Sequence, residues 1–205
     1  FPTRRSSDLI GMATSATLYR KLSYNPLESF EYVGLVTEVP MTIIAKPAFP
    51  ADDLQGLISY VKENADDVTY ANAGIGAASH LCGMLFMSAI DTPLVTVPYK
   101  GTGPAMTDLL GGQVDIMCDQ TTNTTKQIQA GTIKAYAVTS PERLKVLPDV
   151  PTVAEGGLPE MQVGIWHGIY APKGTPAEIT ERLSKSLQLA LNDPNVVARF
   201  AELGT

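Results

Sequence analysis

Short apolar runs alternate with segments of helical periodicity along the chain from residue 30 onward. Apolar runs of about four to eight residues are typical of buried strands, whereas apolar residues at every third or fourth position favour helices. Strands are predicted at residues 30–39, 41–45, 68–71, 94–97, 114–118 and 133–139, with Pro40 between the first two. Helices are predicted at residues 53–64, 77–89, 104–110 and 123–131. This alternation predicts a mostly parallel sheet covered by helices.

The alternation stops at residue 140, where a proline-punctuated irregular stretch begins. A strand is predicted at residues 163–171, and it carries Trp166, the sole tryptophan. The next helix has a capping-box start, with Thr175 as N-cap, Pro176 at the first helical position and Glu178 at the third. A last helix is predicted from Pro194.

Two glycine-containing loops each connect a predicted strand to a predicted helix. The first spans residues 71–80 and the second residues 98–104. A helix N-terminus leaves about four backbone N–H groups without intrahelical partners and carries a partial positive charge. Glycine lets an anion approach that backbone closely. Each loop is therefore a candidate carboxylate or phosphate site, and the pair predicts a small anionic ligand held by backbone amides.

Other kinds of site fit the sequence less well. Gly74, Gly76 and Ser79 have the spacing of a dinucleotide fingerprint, but the next strand ends at Lys100 instead of the acidic residue that binds a ribose. Packing or hydrogen-bonding roles are favoured for both histidines, since the chain has no nucleophile elbow. Metal-ligand spacings are also absent. We therefore expect no catalytic residue, no metal and no cofactor.

Composition narrows the class of partner. The 205 residues are 44% hydrophobic and 18% charged, with a formal net charge of −6, so the chain can bury a core and lacks the basic character of nucleic-acid or anionic-membrane binders. No stretch is as long and apolar as a membrane span. For Cys82 and Cys118 we expect buried free thiols rather than a disulfide, because nothing in their spacing brings them together.

For several polar and aromatic residues, the sequence allows both a ligand-binding role and a structural role. Asp119 follows a strand, where open α/β sheets place ligands, and a ligand role and a turn-capping role are equally favoured. Lys100 is either a partner of a carboxylate or a solvated surface lysine. Tyr99 and Trp166 are predicted to pack in the core or at a hinge rather than to contact a ligand.

The order of motifs resembles one transport family. The matching stretches are residues 24–30, 97–105, 107–115, 137–140, 147–155 and 166–176, of which Val-Pro-Tyr-Lys-Gly-Thr-Gly-Pro-Ala at 97–105 is the most specific. Together they resemble the Bug family, the periplasmic solute-binding component of tripartite tricarboxylate transporters. The resemblance covers roughly residues 10–205.

The resemblance implies a two-lobed periplasmic-binding-protein-like α/β fold of type II that closes around an organic acid, with the N-terminal lobe incomplete. The lobes are expected at residues 10–99 and 100–166, with residues 167–205 returning toward the first. It also implies a periplasmic, monomeric binding protein that delivers its ligand to membrane permease subunits and binds no nucleic acid. The implied ligand-binding residues are Gly74, Gly76, Ala78, Ser79, Lys100, Gly101, Thr102, Gly103 and Asp119, with Thr14 and Ser15 as weaker candidates.

Residues 1–9 do not fit the family pattern and resemble a translated sequencing adapter, so we set them apart from the fold. The upstream part of the family pattern and its final helix are also expected to be missing. Two other classes stay open: the ligand-sensing domain of a regulator, which would carry a DNA-binding segment upstream, and an enzyme, which would need an acid–base or nucleophile set.

Overall fold

The structure is a computed structural model that describes residues 15–17 and 20–205. The strands within this part are β1 Phe30–Ala45, β2 Thr69–Asn72, β3 Val95–Pro98, β4 Ile116–Gln120, β5 Lys134–Val138 and β6 Gly164–Pro172. After the helical turn at 15–17, the α-helices of this part are α1 Leu54–Glu63, α2 Ala78–Ala89, α3 Thr102–Leu110, α4 Thr121–Gln129, α5 Ala177–Leu191 and α6 Pro194–Leu203. A short 3₁₀ helix spans Pro159–Met161. The segment expected to be an adapter, residues 1–9, lies outside the described residues.

The longest strand, β1, belongs to two ladders in succession. Its first part pairs antiparallel with β6 as far as Pro40, and its second part, from Met41, pairs with β4 and β5. The prediction of two strands separated by Pro40 is therefore wrong. Proline lacks an N–H donor but is tolerated where a ladder begins or ends, and Pro40 sits where the partners change.

Most strands of the main sheet run in one direction. The strand order is β3-β2-β4-β1-β5, with β6 attached to β1. β2 runs parallel to β3 and to β4, whereas β1 runs antiparallel to both β4 and β5. β3, β2, β4 and β5 therefore share one direction, as the prediction of a mostly parallel sheet requires, and β1, which enters between β4 and β5 in the opposite direction, makes the sheet mixed. The boundary expected between residues 99 and 100 falls inside this sheet, between β3 and α3.

Helices cover both faces of the main sheet. One apolar cluster joins α1 and α2 to the sheet, through residues such as Leu57 and Phe86. A second cluster joins α3 to the opposite face, through Ala105, Met106 and Leu109. The alternation of strand and helix in the sequence therefore produces the expected three-layer packing. All helices of the described part are too short or too polar to span a lipid bilayer.

The start of α5 differs from the predicted capping box. The helix begins at Ala177 with Pro176 as its N-cap, and no side chain caps it among the described residues. The Thr175 hydroxyl instead donates to the Pro172 carbonyl at 2.7 Å. The loop therefore turns back on its own strand, and the N-cap position falls on Pro176, whose side chain has no acceptor for a helix N–H.

The two cysteines form a disulfide, which corrects the expectation of free thiols. Cys82 in α2 and Cys118 in β4 have Cα atoms 6.0 Å apart, within the usual range for a disulfide. α2 packs against the face of β4, so residues that are 36 positions apart in sequence become neighbours. No local sequence signal could have shown this contact.

We expect the C82A/C118A variant to lose about 3–4 kcal/mol of unfolding free energy, because a cross-link over this sequence separation restricts the unfolded chain. The measurement is urea unfolding of the variant and of oxidised and reduced wild-type protein. Reduced wild-type protein should match the variant. An unfolding midpoint that is the same in oxidised and reduced wild-type protein would show that the disulfide does not form.

Candidate anion-binding site

Three helices begin at one edge of the main sheet. α2 follows β2, α3 follows β3 and α4 follows β4, and these three strands run parallel. The carboxyl ends of parallel strands meet at the same edge, so the N-termini of the three helices also meet there. Open α/β sheets bind ligands at this edge.

The three helix starts have no side-chain caps within the described part of the chain. Their N-caps are Ala77, Gly101 and Gln120. In contrast, α1 and α6 are capped by the side chains of Asp53 and Asp193. Uncapped first-turn N–H groups need acceptors, and an anion supplies them. α5 also lacks a side-chain cap, so it is the meeting of three uncapped helix starts that makes this edge a donor-rich surface.

The first glycine loop is held in place by its own polar groups. The Ser79 hydroxyl accepts from the Ala73 N–H at 2.8 Å, and the Asn72 side-chain oxygen accepts from the Gly74 N–H at 2.9 Å. Gly74 has a φ of 121°, and a Cβ there would lie 3.1 Å from the Tyr99 carbonyl oxygen. Only glycine combines this backbone conformation with so close an approach of the second loop.

The second loop is hydrogen-bonded to the first. The Tyr99 N–H donates to the Asn72 carbonyl at 2.8 Å, and the Gly101 N–H donates to the Ala73 carbonyl at 3.1 Å. The loops that were predicted separately are thus one backbone unit. Lys100 is exposed on it and forms no salt bridge with any described residue.

Asp119 lies between the starts of α3 and α4 and is 2% exposed. Its carboxyl group accepts from the Gln120 N–H at 2.8 Å and from the Asn123 side-chain amide at 3.4 Å, and it also has a side-chain hydrogen bond from Thr102. Burial raises the pKa of Asp119 to about 6, although all three hydrogen bonds act to lower it. The carboxyl group therefore bonds to the start of α4 without capping a first-turn N–H of that helix, and a ligand role stays a prediction.

The aromatic residues considered from the sequence have different surroundings. The Tyr99 hydroxyl donates to Asp108 of α3 at 2.7 Å, and this hydrogen bond is the main cause that raises the pKa of Tyr99 to about 12. Trp166 is 45% exposed, so the core-packing interpretation is wrong for it. It lies on β6, opposite Glu38 in the ladder with β1.

Both histidines take hydrogen-bonding roles, as expected. His80 Nδ1 accepts from the Gly76 N–H at 3.4 Å, and His167 Nε2 lies 3.1 Å from the side-chain oxygen of Gln120. No group of metal-ligating side chains occurs in the part of the chain that the structure describes. Of the weaker candidates, Thr14 lies outside the described residues, and Ser15 is half-buried in the helical turn at 15–17.

Two residues of importance to the site were not found from the sequence. Asn72 is fully buried at the end of β2, and its side-chain nitrogen has no hydrogen-bond partner among the described residues. Its position just before the glycine loop is the sequence signal that could have identified Asn72 as a residue of the site. Tyr70 gave no signal, because a tyrosine in a buried strand is ordinary.

The Tyr70 hydroxyl connects two of the elements that form the site. It donates to the Ser79 carbonyl of α2 at 2.6 Å and accepts from the Cys118 N–H of β4 at 3.1 Å. Burial raises the pKa of Tyr70 far above its usual range, so the phenol stays neutral. Gly83 makes room for the ring, since a Cβ there would lie 2.2 Å from it.

The sequence matches a known family over nearly its whole length. Residues 7–205 match the family described as the tripartite tricarboxylate transporter family receptor. The UPF0065 protein in the TAR-I ttuE-ttuC' intergenic region of Agrobacterium vitis is 55% identical over 96% of this chain and 57% of its own length. Protein BugT of Bordetella pertussis is 34% identical over 97% of this chain and 61% of its own length.

Solved structures with the same fold are periplasmic binding proteins. The periplasmic binding protein BugD has a TM-score of 0.91 and 56% identity over 95% of this chain and 65% of its own. MatC from Rhodopseudomonas palustris, with bound malate, has a TM-score of 0.87 and 40% identity over 93% of this chain and 65% of its own. An R. palustris protein with adipate has a TM-score of 0.86 and 30% identity over 91% of this chain and 62% of its own. The chain spans between 57% and 65% of these proteins.

Tyr70→Phe tests the connection between α2 and β4. We expect it to lose about 1–3 kcal/mol of stability, because two buried backbone groups lose their partner. Hydrogen exchange at the Cys118 amide should also become faster, by more than the increase that the lower global stability alone would cause. The measurements are urea unfolding and amide exchange.

Tyr136→Phe is the matched control for this variant. Its hydroxyl is also buried and donates to the Ala51 carbonyl at 2.9 Å, far along the chain from α2 and β4. It should lose a similar amount of stability, but hydrogen exchange at the Cys118 amide should not increase beyond what that loss causes. If both variants expose that amide equally at equal stability, Tyr70 does not bridge the two elements.

Proposed function

Because the chain belongs to the family of tripartite tricarboxylate transporter receptors, we propose that it is the ligand-binding part of a solute-binding protein that captures a small organic carboxylate. The family and the periplasmic-binding-protein fold predicted from the sequence are both confirmed. Of the proteins named above, BugD is described as a periplasmic binding protein, and two others were solved with malate or adipate. The observation that carries the proposal is the meeting of three uncapped helix N-termini at one sheet edge.

A carboxylate suits this edge because it accepts hydrogen bonds from backbone N–H groups and is favoured by the positive ends of helices. Malate and adipate, found with two of the similar proteins, are both linear dicarboxylates, but they differ in chain length and in the hydroxyl group that malate carries. Backbone amides recognise the carboxylate and leave the rest of the ligand free to vary. Mono-, di- and tricarboxylates are therefore all candidates. Contacts other than these amides determine which ligand is preferred.

The contacts we propose come from four places along the chain. The first loop supplies Gly74, Gly76, Ala78 and Ser79, and the second supplies Lys100, Gly101, Thr102 and Gly103. Asp119 lies at the end of β4, and Thr14 and Ser15 are added from the resemblance alone. The two loops support the proposal most directly, since they form one hydrogen-bonded unit.

The strand pairing supports a specific division into lobes. We place the change from one lobe to the other at Pro40 and Gly164, where β1 leaves β6 and joins β4 and β5, rather than at residue 99. One lobe then contains the main sheet with α1 to α4, and the other contains the β1–β6 ladder with α5 and α6. A hinge at this crossing would let the lobes close over the anion at the sheet edge.

The disulfide supports a location outside the cytoplasm. Disulfides persist in oxidising compartments such as the bacterial periplasm and are rare in the cytosol. A periplasmic protein of this family would pass its ligand to membrane permease subunits, and we propose that it does so as a monomer.

The first test is a thermal-shift screen of the full-length protein against mono-, di- and tricarboxylates. A ligand at 100 times its dissociation constant adds about 2.7 kcal/mol of stability, which raises the melting temperature by several degrees. A rise with one acid identifies the ligand. If no acid at millimolar concentration shifts the transition and calorimetry detects no binding, the proposal is wrong.

Thr102→Val tests the second loop. We expect affinity for the identified acid to fall roughly 5- to 150-fold, which corresponds to about 1–3 kcal/mol for a lost hydrogen bond and its unpaired partner. Thr107→Val is the matched control, since Thr107 is exposed on the same helix and its hydroxyl donates to the Gly103 carbonyl at 3.1 Å. Calorimetric affinities that are equal in the two variants would remove Thr102 from the site.

A further inference from the structure

Asp119 is a buried acid in a site that otherwise offers hydrogen-bond donors. Its carboxyl group uses the Gln120 N–H, the Asn123 amide and the Thr102 hydroxyl, which belong to the same helix starts that would hold an anion. Buried carboxylates are normally paired with a cation. Among the described residues, no lysine or arginine forms a salt bridge with Asp119.

The titratable groups of the neighbouring elements do not neutralise Asp119. On β1 the residue opposite is Thr42, whose hydroxyl donates to the Asp119 backbone carbonyl at 3.2 Å. On β2 the nearest such group is the neutral Tyr70 phenol, and its pKa is raised in part by the charge of Asp119. The side chains that β1 and β2 place beside Asp119 are therefore neutral.

The remaining titratable groups have other partners or lie in solvent. His80 of α2 bonds to the Gly76 N–H, and His167 of β6 bonds to the Gln120 side chain. Asp108 of α3 accepts from Tyr99, while Lys100 before α3 and Lys126 on α4 are exposed. A ligand carboxylate at this edge would thus add a second negative charge near Asp119, which forms no salt bridge with a lysine or arginine of the described residues. Lys100, a proposed contact of the ligand, is exposed and forms no salt bridge with Asp119.

Two like charges that share one set of donors disfavour each other, and protonation of one relieves the repulsion. Burial already raises the pKa of Asp119 to about 6, which brings its protonation closer to neutral pH than that of an exposed aspartate. A protonated carboxyl group is also a donor, so it can hydrogen-bond to the ligand carboxylate instead of repelling it. Protonation therefore turns a competitor for the helix amides into a partner of the ligand.

We propose that Asp119 takes up a proton from solvent when a carboxylate binds at this edge, so that anion capture is coupled to protonation. This inference rests on the proposed function and concerns the regulation of the same site. The only covalent change is the new O–H bond at the Asp119 carboxyl group. Affinity then depends on pH in a range where a dicarboxylate ligand is itself fully ionised, above about pH 6.5, since carboxyl pKa values lie near 4.

The sign of the pH dependence follows from the direction of the shift. The pKa of Asp119 starts at about 6 in the free protein and rises further when an anion is bound. Affinity should therefore be highest and constant below the free pKa and should fall as pH rises above it. The steepest expected fall is about tenfold per pH unit, the limit for uptake of one proton.

The experiment is calorimetric titration of the full-length protein with malate at pH 7.5 in HEPES and in Tris, whose ionisation enthalpies differ. The difference in heat gives the number of protons taken up per malate bound, which should be greater than zero and at most one. Asp119→Asn should take up none, and its affinity should be independent of pH between 6.5 and 8.5. The wild-type pH series alone tests the proposal if that variant does not fold.

Asp108→Asn is the matched control, because it removes a negative charge from α3 while an asparagine oxygen can still accept from Tyr99. Its proton uptake should equal that of wild type. Malate binding without proton uptake in wild type, or with full uptake in Asp119→Asn, overturns the inference and leaves the proposed function standing. If neither malate nor any other carboxylate binds, the proposed function fails and this inference fails with it.

Discussion

The parallel pairing of β2 with β3 and β4 is the constraint on which the rest of the site depends. Each of these strands leads into a helix, so parallel alignment forces the three helix starts to one edge. Had β4 run antiparallel to β2, the start of α4 and Asp119 would lie at the opposite edge from the glycine loops. The donor-rich edge is thus a consequence of strand direction, and the side chains refine it.

The site is rigid because three kinds of bond hold its parts together. Backbone hydrogen bonds join the two glycine loops, and the Tyr70 hydroxyl joins α2 to β4. The Cys82–Cys118 disulfide joins the same helix and strand one turn further on. Preformed donors lose little freedom when an anion binds, which favours affinity. The hinge that we propose therefore lies at the β1–β6 crossing and not within the loops.

Charge at this edge is balanced between backbone donors and one acid. The helix starts favour a negative group, and Asp119 supplies one in the free protein. The Asp119 carboxyl group accepts from the Gln120 N–H and the Asn123 side-chain amide at the start of α4. These hydrogen bonds offset part of the cost of burying an acid beside the edge where we propose that an anion binds.

Much of the fold and part of the site could be predicted from the sequence. By itself the sequence determined the succession of strands and helices, the two glycine loops and the family, because periodicity, turn preference and motif spacing are properties of neighbouring residues. Only the tertiary structure decided the direction of β1, the disulfide, the Tyr70 bridge and the burial of Asp119. Each of these depends on residues distant in sequence, such as Cys82 and Cys118, that are brought into contact by strand register and helix packing. Local patterns carry no information about which distant pair will meet.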